Sequence, residues 1–175
     1  MEHTITQLKH LGINLIYEKK KHFNAADRKR KLHTANYISN IALSLFPGSV
    51  LLYYLCDSGN KVFIIASFVI SLIVAILTAI QKFLNLDLQA DGHVKIGVDC
   101  LNTYRQICVT LALSADGKLT GQELIQRTEQ VLNSINDIHS VAKQFSTSSK
   151  DYKKAHDGIV SGEENYTDDE MDILN

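Results

Sequence analysis

Two long runs without a charged side chain constrain this chain more than any other feature. Residues 32–56, between Lys31 and Asp57, contain no Asp, Glu, Lys or Arg, and neither do residues 62–81, between Lys61 and Lys82. A helix rises ~1.5 Å per residue, so about 20 residues cross a hydrocarbon core of roughly 30 Å. Both runs are long enough, and they predict membrane spans over about Tyr37–Cys56 and Val62–Gln81. Whole-chain averages hide this: the net charge is −1 and 45% of residues are hydrophobic, as in many soluble domains. The connection Asp57-Ser58-Gly59-Asn60-Lys61 is too short to hold a domain, so the spans must be antiparallel neighbours. The predicted fold is all-α: a two-helix transmembrane hairpin with an amphipathic N-terminal helix and long cytoplasmic C-terminal helices.

The flanks give the hairpin a direction. Residues 1–33 read as a basic amphipathic helix, with Ile5, Leu8, Leu11, Leu15 and Ile16 at helical spacing. Lys19, Lys20, Lys21, Arg28, Lys29, Arg30 and Lys31 follow, against Glu18 and Asp27. A basic run can mark nucleic-acid binding, but directly before a span it is a topology signal. Together with Lys82 it outweighs Lys61 in the turn, placing both termini in the cytoplasm and the chain in the cytoplasmic membrane. The first apolar segment starts too far in and is too long for a cleavable signal peptide. Tyr37, Tyr53 and Tyr54 suit the interfacial belts, and Pro47 predicts a kink near Ser44–Gly48.

Beyond the hairpin (34–84) a cytoplasmic helical region is predicted over 85–146. Span two runs on as helix to about Leu113, with a bend possible at Gly92 and Gly97, since glycine costs a helix up to ~1 kcal/mol relative to alanine. Ser114–Lys118 is a turn. Thr120 and Glu123 form a T-x-x-E capping box ahead of the clearest soluble helix. There Leu124, Val131, Ile138 and Phe145 repeat every seven residues, with Thr128, Ile135 and Ala142 between them. This a/d seam packs on another helix, within the subunit or across an oligomer interface. Residues 147–175 read as a linker and an acidic tail, with Thr167–Glu170 able to cap a short last helix. The tail is either solvated or a docking peptide for the basic N-terminal helix or a partner.

No catalytic motif is present, so an enzyme is not expected. The seven histidines are scattered, and His93 and Asp99 fall on different helix faces. Cys56, Cys100 and Cys108 have no metal-ligand spacing and read as small core residues; no metal or cofactor is expected. In span two, Ser67, Ser71, Ala75 and Thr78 form one small-residue stripe; in span one, Ser44 and Gly48 lie one turn apart. Such residues let helices approach closely in lipid, or line a water-filled path when subunits assemble. Neither span has an ionisable group of the kind ion-coupled transporters need. Two helices cannot enclose a conduit, so conduction requires a homo-oligomer.

The order of parts, with Ala90-Asp91-Gly92-His93 and then Leu101-Asn102-Thr103-Tyr104-Arg105-Gln106-Ile107 on the helix after the hairpin, resembles the SLATT family, the SMODS and SLOG-associating two-transmembrane effectors of prokaryotic conflict systems. The resemblance implies a pore-forming effector of anti-phage abortive infection. Its trigger would be a separate sensor, such as a nucleotidyltransferase, a SLOG protein or a reverse transcriptase system, or a nucleotide signal. A directly bound ligand would be met by Tyr104 and Arg105, since arginine can pair a phosphate and tyrosine can stack a base. The competing expectations are a membrane anchor that recruits a soluble partner through its cytoplasmic helices, and a small constitutive channel.

Overall fold

In the computed structural model, which describes residues 2–56 and 61–165, the chain is all-α. The helices are α1 (Glu2–Cys56), α2 (Lys61–Leu84), α3 (Leu86–Ala115), α4 (Gly121–Ala142) and α5 (Ser149–Val160). They form two compact units, residues 27–90 and residues 1–26 with 91–175. The expected turn at Asp57–Lys61 and the short last helix near Thr167 lie outside the described residues, apart from Lys61 itself.

The larger unit is a bundle built on heptads. On α4 the predicted seam is the buried face: Leu124, Val131, Ile135 and Ile138 are buried and Phe145 packs against them. The seam is therefore spent on packing within the chain. Two further heptad seams face it. Leu8, Leu15 and His22 are buried on α1, and His93, Ile96, Cys100, Thr103, Ile107 and Thr110 on α3. Each fully buried Leu or Ile stabilises the bundle by about 1.5–3 kcal/mol. The threonines satisfy themselves: Thr103, Thr110 and Thr128 donate their hydroxyl hydrogens to the carbonyls of Asp99, Gln106 and Leu124 at 3.0, 2.8 and 2.8 Å. Cys100 is in the core as expected, and burial pushes its thiol up to about 12. Cys108, also expected inside, is exposed, because it falls one position off the Ile107 seam.

Helix ends follow local chemistry. Thr120 and Glu123 form the predicted capping box. After α3 the chain turns at Gly117, whose φ of 67° suits glycine, while the Gly117 and Lys118 amides donate to the Ser114 and Leu113 carbonyls. The chain after span two is not one unbroken helix: it breaks at Asn85, with φ of 45°, rather than at Gly92 or Gly97. Asparagine tolerates that conformation better than most residues. The two glycines instead open space for rings. A Cβ on Gly97 would lie 2.9 Å from Phe23 Cε1, and one on Gly92 would overlap the Phe145 ring.

The stretch expected to be a linker contains α5. Ser148 and Asp151 make a second capping box, and Asp151, Ala155 and Gly158 are its buried residues. In the unit of residues 27–90, α1 and α2 lie side by side: Asn40 Nδ2 donates to Gln81 Oε1 at 2.8 Å and to Thr78 Oγ1 at 3.5 Å. Helix α1 continues through Pro47, where a kink was expected; beside it, the Ser44 and Ser49 hydroxyls donate to the Ile41 and Phe46 carbonyls at 2.8 Å each.

Gly92→Ala should lower the thermal midpoint of detergent-solubilised protein. The overlap with Phe145 costs about 1–3 kcal/mol, more than the ~1 kcal/mol that alanine returns in helix propensity. Gly48→Ala, with nothing within 4 Å of the added Cβ, should leave the midpoint unchanged or higher. Circular dichroism melts of the two variants check this.

Candidate functional site

The apolar helix α2 is the feature that water cannot accommodate. Among the described residues, one helical stretch, starting at Val62, is long and apolar enough to cross a membrane, and its most apolar window is unburied. None of residues 62–85 is buried; Phe68 is 70% exposed and Val62 65%. Helix α1 from residue 31 to residue 50 has no buried side chain either, with Leu45 69% exposed.

The small residues singled out from sequence separate into two groups. Ser44 and Thr78 line one groove between α1 and α2, beside Asn40 and Gln81. Ser67, Ile70 and Val74 on α2 are half-buried, whereas Ser71 and Ala75 are exposed, as is Gly48 on α1. The Ser67, Ser71 and Thr78 hydroxyls are occupied by the Phe63, Ser67 and Val74 carbonyls at 2.8, 2.9 and 2.8 Å. Sequence reasoning missed Asn40 and Gln81, the amides that join the helices. Their signal was two amides in otherwise apolar runs.

The proposed ligand contacts part company. Tyr104 packs against the core and lies opposite Gly12. Arg105 lines an open cleft of 510 Å³ between α3 and α4, with Arg127, Gln106, Gln130 and Ser134. Among the described residues no carboxylate lines that cleft, so its charge suits an anion.

A C-terminal clasp covers part of the basic N-terminal helix. Gly162 takes φ of 88° and, with Glu163, donates to the Ile159 and Gly158 carbonyls, which turns the chain back after α5. Glu163 then meets Lys20 and Glu164 meets Lys19, each at 2.6 Å. The Lys20 ammonium, hydrogen-bonded to Glu163, holds that carboxyl below the usual range, with Lys154 adding to the effect. Tyr17 stacks on Tyr152 and His156, and its hydroxyl lies 3.2 Å from His156 Nδ1. These glutamates thus dock on the N-terminal helix, one of the two fates that the acidic stretch allowed.

The heptads of α1 and α3 bring two buried histidines together. His22 Nδ1 and His93 Nδ1 are 2.9 Å apart, so one ring donates and the other accepts. The Phe145 ring packs edge-on against His93. Burial lowers the His22 pKa below 6.5, against the opposing pull of Glu18; Lys21 lowers it further and Asp151 raises it. The pair went unnoticed in sequence because histidine at an a/d position does not look like a seam.

A helical chain whose most apolar helix lies bare belongs to the class of membrane proteins. The chain matches the model of SMODS and SLOG-associating 2TM effector domain family 4 over residues 5–170, and it belongs to that family. It is accordingly a membrane effector of conflict systems. No curated protein and no solved structure matches it.

The histidine pair predicts acid sensitivity. His22 stays neutral in the fold at pH values where the unfolded chain takes up a proton, so stability falls as pH drops below about 6.5. The thermal midpoint should therefore fall between pH 7.5 and pH 5.5. His22→Gln, which keeps a hydrogen-bonding side chain but does not titrate, should flatten that slope. Melts of both proteins across the range measure it.

Proposed function

We propose that the chain is a multi-pass protein of the cytoplasmic membrane, with both termini in the cytoplasm, that assembles into a homo-oligomer and permeabilises the membrane. The loss of the barrier halts an infected cell before phage mature. The observation that carries this reading is the outer surface of the hairpin. It has no charge over residues 32–56 and 62–81, and Gly48, Ser71 and Ala75 lie exposed, outside the Asn40–Gln81 contact. Small residues on a lipid-facing surface permit close approach of helices from other subunits. The bundle supplies no further apolar seam on α4 for assembly, because that seam is buried within the chain.

The orientation rests on Arg28, Lys29, Arg30, Lys31 and Lys82, which lie on the same side of the hairpin. The reading needs no turnover chemistry: the effector acts by opening a path and is not an enzyme. The signal comes from a separate sensor, a nucleotidyltransferase, SLOG protein or reverse transcriptase system, and the Arg105–Arg127 cleft is the proposed point of entry for an anionic signal.

Dye release from liposomes tests this reading. Triggered protein should release dye, and Ser71→Leu with Ala75→Leu, both on the exposed face, should cut release several-fold while membrane integration is kept. Integrated protein that releases no dye under any trigger would contradict it. A second reading, a membrane anchor for the helical bundle, is favoured by the open arginine cleft; it predicts that an unrelated hairpin preserves cellular activity, whereas the pore reading predicts its loss.

A further inference from the structure

The groove between α1 and α2 changes character along its length. One end is walled by Ile41, Ser44 and Val74, and the other by His33, Lys82, Asn85 and Asp87. Its volume is 660 Å³, within the range of small-molecule pockets. Asn40 and Gln81 lie between the two ends, and their mutual bond uses one donor and one acceptor. The Asn40 carbonyl and the Gln81 amino group keep their bonding capacity. In the hairpin reading, on which this inference rests, the charged end lies at the cytoplasmic headgroup level and the apolar end points into the hydrocarbon.

We infer that this groove binds a zwitterionic phospholipid whose headgroup amine carries N–H donors, the phosphate beside Lys82 and the ammonium beside Asp87. The charges at the mouth select the class. Lys82 supplies a full cation for a phosphate. Asp87 supplies an anion that would repel a headgroup carrying negative charge alone. A primary ammonium can also donate N–H bonds to the Asp87 carboxylate and the Asn85 amide carbonyl, which a quaternary ammonium cannot do. The polar-to-apolar order of the walls matches the order of headgroup, glycerol and acyl chain. Tyr37, half-exposed on the α1 wall, sits where an amphipathic ring meets the interface.

Native mass spectrometry of the purified full chain tests this, in micelles doped with phosphatidylethanolamine, phosphatidylcholine or phosphatidylglycerol of identical acyl chains. The ethanolamine lipid should be retained about 5-fold more than the choline lipid, as one net hydrogen bond is worth about that factor. Lys82→Gln should weaken retention of both. Asp87→Asn should abolish the preference and raise retention of the glycerol lipid. Equal retention of the three lipids, or a preference untouched by both variants, would overturn the inference. So would a crosslink from Lys82 showing a second copy's helix in the groove. Carbonate extraction of the same variants separates this outcome from failure of the hairpin reading: a chain that does not integrate defeats the hairpin, whereas an integrated chain without lipid preference defeats only the lipid site.

Discussion

Water cannot solvate α2. A helix of 24 residues with no buried side chain over 62–84 would expose a surface that no soluble monomer carries in one piece. At roughly 25 cal/mol per Å² of apolar area, only lipid or other apolar helices relieve that cost. The flanking features follow from it. Charges are absent where hydrocarbon would surround them and gather at Arg28–Lys31 and Lys82. The residues that join α1 to α2 are amides, Asn40 and Gln81, because an uncharged hydrogen bond is tolerated where an ion is not.

The helical bundle solves a different problem. Its seams repeat every seven residues on α1, α3 and α4, yet they are not uniformly apolar. His22, His93, Thr103, Thr110 and Thr128 sit among leucines and isoleucines. Polar residues at such positions cost stability and fix register, and a histidine facing a histidine is satisfied in one alignment only. Gly92 and Gly97 add steric keys for Phe145 and Phe23. The clasp of Glu163 and Glu164 on Lys20 and Lys19 ties α5 to the same helix that carries His22. Polar contacts, more than apolar bulk, determine which helix faces meet.

Much of this was legible in the sequence. The uncharged run of α2, the α4 seam and the Thr120 capping box rest on spacing alone, and spacing is local. The SLATT resemblance, carried by the order of parts, likewise holds over residues 5–170. What escaped depends on partners distant in the chain. The α1 and α3 seams were masked by their histidines and threonines. Helix α5 was hidden because its buried face is Asp151, Ala155 and Gly158, of which only the small Ala155 is apolar. The roles of Gly92 and Gly97 needed the positions of two aromatic rings. Asn85 gave no warning of a helix break, since asparagine occurs within helices as well as at their ends.

The central claim is that residues 32–81 form a hairpin entered and left from the cytoplasm. Labelling of single cysteines in intact cells with a membrane-impermeant maleimide tests it most directly, with Cys56 and Cys108 replaced by serine. Cys100 can remain, as its buried thiol, pushed up to about 12, reacts slowly. The account predicts that Asn60→Cys is labelled from outside, and that Lys9→Cys and Lys118→Cys are labelled only after lysis. Labelling of Lys9→Cys in intact cells, or protection of Asn60→Cys until lysis, would contradict it.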